Sequence, residues 1–198
     1  MPRGASDTTG AISPVLPNME MRIVDDAHRD VAPGSPGELL VRGPFVTNGY
    51  YDNPSATAAS FYDGWFCTGD VAVERRGKFY IVDRKKELIK YKGLQIAPAE
   101  LELLLNTHPE ILEAAVVGVP VEGGSEVPRA YVVPRSVGAL SEDEVKRFVA
   151  GRVAAYKELR GGVRFVEELP KNAVGKILRR ELRDRARGED GEGVKARL

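Results

Sequence analysis

Cysteine is nearly missing from these 198 residues: Cys67 stands alone. No internal disulfide can form and no cysteine-built metal site is available, so Cys67 is expected to act as a small, partly buried hydrophobe in a strand. Histidine is almost as scarce. His28 and His108 lie far apart, each in a turn-like setting, so no histidine-built zinc site is expected either. Net charge is absent too, with 29 Lys plus Arg against 29 Asp plus Glu. No global field draws the chain to nucleic acid or to an anionic membrane, and neither is an expected partner. No apolar run approaches the roughly 20 residues of a membrane span. Pro2-Arg3-Gly4 leads into a small, polar stretch without the apolar core of a signal peptide. What is present, 42% apolar and 29% charged residues, is ordinary for a globular protein.

The order of patterns divides the chain in two. Met1 to Ile12 holds glycine, serine and threonine without periodicity and reads as loop. Met19–Val24 alternates polar and apolar residues and predicts a strand, as does Glu38–Gly43 after turns at Asp25–Asp30 and Pro33–Gly37. Asn53 caps a short predicted helix that starts at Pro54 and reaches Phe61. Trp65–Val73 and Lys78–Asp83 predict a hairpin across Arg75-Arg76-Gly77. Beyond residue 82 the pattern becomes mixed. Helices are expected at Pro98–Asn106, after Ser141 and at Ile177–Arg187, with strands at Ala114–Val119, Arg129–Val133 and Val163–Val166. Ser141 with Glu144 forms a capping box, and Val145, Phe148, Val149 and Val153 supply the buried face of the helix it opens. Helices packed on one sheet give a compact α+β unit. From Gly188 onward the charged, glycine-containing sequence is expected to be disordered.

Three motifs stand out. Between the strand ending at Val82 and the helix opening at Pro98 lies Asp83-Arg84-Lys85-Lys86-Glu87-Leu88-Ile89-Lys90-Tyr91-Lys92-Gly93-Leu94-Gln95-Ile96-Ala97. Its own composition reads as a flexible, cationic crossing with a solvated charge run. Gly64-Trp65-Phe66-Cys67-Thr68-Gly69-Asp70 places an acidic residue late in the β part. Pro170-Lys171-Asn172-Ala173-Val174-Gly175-Lys176 precedes a basic helix. It is not a nucleotide-binding P-loop, because residue 170 is not glycine and Ile177 takes the Ser/Thr place. The chain ends in Ala196-Arg197-Leu198, a small-basic-leucine tripeptide of the peroxisomal type.

Taken together, the three motifs closely resemble those of adenylate-forming enzymes, the superfamily of acyl-CoA synthetases, 4-coumarate-CoA ligases and beetle luciferases. The Leu94–Glu102 run resembles the 4-coumarate-CoA-ligase branch most. The resemblance covers about residues 11 to 185. It implies that residues 1–82 are the β-rich end of a larger N-terminal AMP-binding domain. Residues 83–187 are then a mobile α+β C-terminal lid, and 188–198 a disordered tail. By the same resemblance, Asp70 accepts hydrogen bonds from the ribose hydroxyls of ATP and Arg84 touches that ribose. Asp83 to Lys86 contains the hinge. Lys90, Gly93 and Gln95 enter the active site once the lid has rotated. Gly93 admits the pantetheine arm of CoA, while Lys90 and Gln95 orient the thiol and steady charge on the carbonyl oxygen. Lys85 and Lys92 are left to solvation, Leu88 and Ile89 to packing. Lys176 bridges the substrate carboxylate and the α-phosphate, where a cation offsets like-charge repulsion.

The implied reaction has two steps. An aryl or fatty carboxylic acid and ATP, with Mg2+ on the phosphates, give acyl-AMP, and CoA then takes the acyl group. The phosphate loop and acyl pocket of such enzymes match nothing here. The chain is therefore expected to be a C-terminal fragment or the product of a truncated gene model, unable to make acyl-AMP unaided. A non-catalytic module that binds a nucleotide or a protein partner, and a luciferase-like oxidation, are the other expectations. Localisation is expected to be peroxisomal, through an import receptor that reads Ala196-Arg197-Leu198, and otherwise cytoplasmic.

Overall fold

The computed structural model describes residues 10–12, 15–136, 138 and 140–195, with side chains to Glu189. The terminal Ala196-Arg197-Leu198 and the first nine residues lie outside the described residues. The chain divides into two units between Lys86 and Glu87.

Unit 1 is an antiparallel sheet built around one long strand. β1 (Glu20–Val24) pairs β2 (Gly37–Arg42), and β2 pairs β4 (Trp65–Arg75). The other edge of β4 is shared by the two-residue β3 (Phe61–Tyr62) and by β5 (Lys78–Arg84). Strand alternation sorts the apolar side chains onto two faces. Ile23, Leu39 and Ala72 are buried together, and their neighbours Val24 and Leu40 are buried with Trp65 on the other side. Trp65 carries two guanidinium groups over its ring, Arg42 at 4.3 Å and Arg22 at 5.3 Å from the centroid. Cys67 packs half-buried beside it, and burial pushes its thiol pKa up. The helix α1 spans Pro54–Ala59, with the Asn53 side chain accepting from the Ala56 amide at 3.0 Å. It stops short of the expected Phe61. Asp63 and Gly64 both take positive φ, making a two-residue turn that pairs Tyr62 with Trp65 and Phe61 with Phe66.

Unit 2 is a three-layer arrangement. Its sheet runs β10 (Val163–Phe165), β9 (Ser125–Pro134), β8 (Ile111–Val121), with β8 antiparallel and β10 parallel to β9. Both faces are covered, which explains why Ala114-Ala115-Val116-Val117 reads as one apolar run instead of alternating. Ala114, Val116, Ala130 and Val132 meet Leu101 and Leu105 of α2 (Pro98–Leu105) and Val145 and Val149 of α3 (Glu142–Ala150). Ala115, Val117, Tyr131 and Val133 meet Leu182 and Ala186 of α4 (Arg179–Lys195). Burial of a leucine such as Leu101, which is fully enclosed, stabilises the unit by about 2 kcal/mol. Among the described residues, no helix is long and apolar enough to cross a membrane.

Two expectations fail in this unit. The crossing after Lys86 is not a loop: Ile89–Tyr91 (β6) and Leu94–Ile96 (β7) form a tight antiparallel hairpin. Its Lys92-Gly93 turn has φ of 47° and 80°, the left-handed pair that two-residue hairpins require. The lysines conceal the alternation, which buries Ile89 and Ile96 and exposes Lys90 and Gln95. The second is the end of the last helix: α4 runs Arg179–Lys195, past the expected stop at Arg187. Pairs such as Arg185 with Glu189, at 3.0 Å and one turn apart, support it.

The capping box at α3 forms as expected. Ser141 Oγ accepts from the Glu144 amide at 3.3 Å, and the Glu144 carboxylate accepts from the Ser141 amide at 2.8 Å. The Ser141 hydroxyl, which donates to the Glu144 carboxylate at 2.7 Å, and then the Ser141 amide hold the Glu144 carboxyl below the ordinary glutamate range. Ser141→Ala is expected to lower the unfolding free energy by about 1 kcal/mol, read as a drop in the urea midpoint at unchanged slope.

Candidate functional site

In unit 1, Asp70 and Arg84 are register partners on β4 and β5. Arg84 Nε lies 2.6 Å from Asp70 Oδ1, with the aspartate side chain 26% exposed and the arginine 52%. The register brings together two residues that lie 14 positions apart in sequence and leaves a carboxylate and a guanidinium open to solvent at one place. Asp70 is aimed by its own strand. Thr68 Oγ donates to the Leu39 carbonyl at 2.7 Å and accepts from the Asp70 amide at 3.0 Å. Gly69, at φ 71°, accepts from the Lys85 amide at 2.8 Å. The Asp83 carboxylate accepts from the Arg84 amide at 2.7 Å.

Lys85 is not a solvated side chain. Its ammonium donates to Glu38 at 2.8 Å and sits 2.9 Å from Asp26, and the Glu38 side chain is 9% exposed. Desolvation pushes the lysine pKa down, and the bonds to Glu38 and Asp26 outweigh it, so the net shift is upward. Glu38 was invisible in the sequence, where it reads as an ordinary polar residue beginning a strand. Its partner lies 47 positions away.

In unit 2, the hairpin presents Lys90 and Gln95 as register partners on its solvent face, with Gly93 at the tip. A Cβ at Gly93 would meet nothing within 4 Å, so glycine serves the turn's conformation there and leaves the backbone open to approach. The hairpin is pinned by its backbone. The Lys90 amide donates to Glu126 at 3.0 Å, the Lys92 amide to Ser125 Oγ at 3.0 Å. Gly118 makes room for this, because a Cβ there would fall 2.9 Å from the Glu126 carboxylate and 3.3 Å from Ile89. The Lys90 and Lys92 side chains are exposed, the latter 5.5 Å from the Tyr91 ring.

The Lys176 loop is also preformed. Asn172 Oδ1 accepts from the amides of Val174 and Lys176, at 3.1 and 2.9 Å, while the Asn172 amide donates to the Lys176 carbonyl. Gly175, at φ 82°, completes the turn. Lys171 is taken up by Glu113 at 2.8 Å, but the Lys176 ammonium has no partner among the described residues. Lys176 leads into α4, which covers one face of the sheet. Lys90 sits between Ile89 and the hairpin turn, and Ile89 and Ile96 are buried with α2 and α3 on the other face. Tyr91 of the hairpin packs against the apolar clusters of both faces, and the Lys90 and Lys176 ammonium groups, without partners among the described residues, stand on separate elements, each on a fixed backbone. Among the described residues, no group of three or more His, Cys, Asp or Glu could hold a metal ion.

A family model described as the AMP-binding enzyme C-terminal domain matches residues 100–176, and the model for the AMP-binding enzyme itself matches residues 1–51. The chain belongs to the AMP-binding enzyme family. Among its relatives, phenylacetyl-CoA ligase epaB of Aspergillus niger is 48% identical over 93% of this chain and 35% of the relative. 4-Coumarate–CoA ligase 1 of Arabidopsis thaliana is 48% identical over 88% of this chain and 32% of that protein. The ATP-bound crystal structure of MatB from Rhodopseudomonas palustris superposes with a TM-score of 0.81 at 33% identity, over 88% of this chain and 35% of that one. The chain thus spans about a third of the length of the relatives it matches. The C-terminal-domain match starts at Glu100 and ends at Lys176. It takes in the loop that fixes Lys176, whereas the hairpin of Lys90, Gly93 and Gln95 lies just before it.

Proposed function

We propose that the chain forms the C-terminal part of an ATP-dependent acyl-CoA ligase, one that activates an aryl or fatty carboxylic acid as acyl-AMP and passes it to CoA. The observation that carries this reading is the placement of Lys90 and Lys176, two exposed cations on separate backbone-pinned elements of one unit, a hairpin strand and a loop turn. A single lysine could serve one charge-building step. Two, held by separate elements, suit two steps in which each element in turn is offered to the reacting atoms. In the first, Lys176 lies by the substrate carboxylate and the α-phosphate and offsets their mutual repulsion. In the second, Lys90 and Gln95 stand at the thioester-forming carbonyl while Gly93 leaves room for the pantetheine arm. Asp70 and Arg84 hold the ribose throughout, the carboxylate accepting from its hydroxyls. Asp83 to Lys86 provides the hinge for the exchange. Magnesium would arrive on the triphosphate, as the described residues offer no cluster for it. Delivery to the peroxisome through Ala196-Arg197-Leu198 belongs to the same proposal.

The test is ATP–pyrophosphate exchange with magnesium and a mixture of aryl and fatty carboxylates. The 198-residue chain by itself is expected to give none. Joined to the part of the A. niger ligase that it does not match, it is expected to restore exchange that neither part supports alone. A chimera that folds and binds ATP yet gives no exchange overturns the reading.

A further inference from the structure

The hairpin that carries Lys90, Gly93 and Gln95 has one edge without a strand beside it. A strand in an antiparallel pair sends alternate amides to its partner and the others away from it. β6 pairs only with β7, so the outward amides of Lys90 and Lys92 meet no strand. Side chains at the start of β9 take that place. Glu126 Oε2 accepts from the Lys90 amide at 3.0 Å. Ser125 Oγ accepts from the Lys92 amide at 3.0 Å and donates to the Lys90 carbonyl at 3.3 Å. Both residues follow the Glu122-Gly123-Gly124 turn, whose glycines take φ of 86° and 74° and bring Val121 opposite Ser125. On β8, Gly118 keeps the space that the Glu126 carboxylate fills. We propose that Ser125 and Glu126 are positioning residues for the thioester-forming step, bracing the outer edge of the hairpin and so fixing where Lys90 and Gln95 point.

This deepens the ligase reading and rests on it for its purpose. Neither residue needs to touch substrate. Side chains stand roughly perpendicular to the plane of a strand's backbone bonds, so holding the Lys90 amide and carbonyl in that plane sets the direction of the lysine. Gln95 is its cross-strand partner and turns with it. Ile89 and Ile96 anchor the buried face of the hairpin, and the brace adds a second fixed line along its edge. A reacting group misplaced by about 1 Å can lose about 10²-fold in rate. The Lys176 loop is held by Asn172 and shares none of these bonds, so the brace acts on one step only.

Amide hydrogen exchange in the 198-residue chain reads the brace directly. Exchange at Lys90 is expected to rise about tenfold or more in Glu126→Ala, and at Lys92 in Ser125→Ala. Glu126→Gln, which keeps an acceptor, is expected to stay near the wild type. In the chimera with the A. niger ligase, both alanine variants are expected to slow thioester formation from supplied acyl-AMP by about tenfold or more. Pyrophosphate exchange is expected to stay within about twofold of the parent, and Glu126→Gln to match the parent in both steps. A merely structural loss would slow both steps alike. Should Glu126→Ala fail to fold, Gly118→Ala makes the same test, since its Cβ would fall 2.9 Å from the Glu126 carboxylate and displace it. Faster exchange at Lys90 with an unchanged thioester rate overturns the positioning role and leaves the ligase reading standing. A parent chimera inactive in both steps overturns the ligase reading and that role with it, while protected amides at Lys90 and Lys92 would still establish the brace.

Discussion

In the chimera, Lys176→Ala is expected to slow acyl-adenylate formation by about 10²–10³-fold while leaving thioester formation from supplied acyl-AMP within about twofold of the parent. The reason is electrostatic. A carboxylate attacking the α-phosphate of ATP brings two anions together, and charge then grows on the phosphate oxygens. On the proposed reading, a fixed ammonium at that point lowers the barrier for this step and is withdrawn before the second. The structure makes alanine a clean deletion. The loop backbone is held by Asn172 and by the Gly175 turn, not by the lysine side chain, so its shape survives the change. Lys90→Ala is the converse case, with the thioester step slowed more than adenylation. The two half-reactions are measured separately, the first by pyrophosphate exchange and the second by CoA consumption from acyl-AMP. Equal loss of both steps in both variants would rule out two elements used in turn.

Much of the fold was legible because local chemistry and global packing agree. The β4–β5 hairpin announces itself by alternation around Arg76-Gly77, and α3 by its Ser141–Glu144 capping box. The hairpin carrying Lys90, Gly93 and Gln95 was hidden by its charge. Lysines at 90 and 92 suggested a solvated run, yet Ile89, Tyr91 and Ile96 supply the half-buried face that the sheet unit needs. The continuation of α4 was hidden by Gly188, whose cost of about 1 kcal/mol is a weak stop against several charge pairs and an apolar stripe at Leu182 and Ala186. At the candidate site, the motif residues were legible in the sequence, but the groups that hold them in place were not. Glu38 for Lys85, Glu126 for the Lys90 amide and Arg183 for Glu87 are 47, 36 and 96 positions distant. Register between remote elements sets those pairs, and no local pattern carries it. Arg129 is similar: a charged residue 4% exposed on a central strand, satisfied by the Gly161 carbonyl at 2.7 Å and by Glu189 of α4.

Glu102 is such a holder with a large stake in stability. Glu102→Ala is expected to cost unit 2 about 3–5 kcal/mol, a sizeable share of a domain's usual 5–15. Its carboxylate sits 12% exposed between two groups that have few alternatives. Oε1 accepts from the amide of Val116, a fully buried residue of β8, the edge strand, so the glutamate supplies the acceptor that a neighbouring strand would have offered. Oε2 accepts from Arg179 Nη2 at 2.6 Å, and the Nε of that arginine is already buried without a partner. Alanine strands both the amide and the guanidinium. Glu102→Gln keeps a neutral acceptor for the amide and loses only the ion pair, so about 1–2 kcal/mol is expected. Urea unfolding followed by far-UV circular dichroism ranks the two variants, and hydrogen exchange at Val116 separates the causes. Exchange should speed up in the alanine variant beyond what global unfolding accounts for, and follow global stability alone in glutamine. If glutamine proved as costly as alanine, the ion pair to Arg179 would account for the whole effect, and the edge of β8 would need no side-chain acceptor.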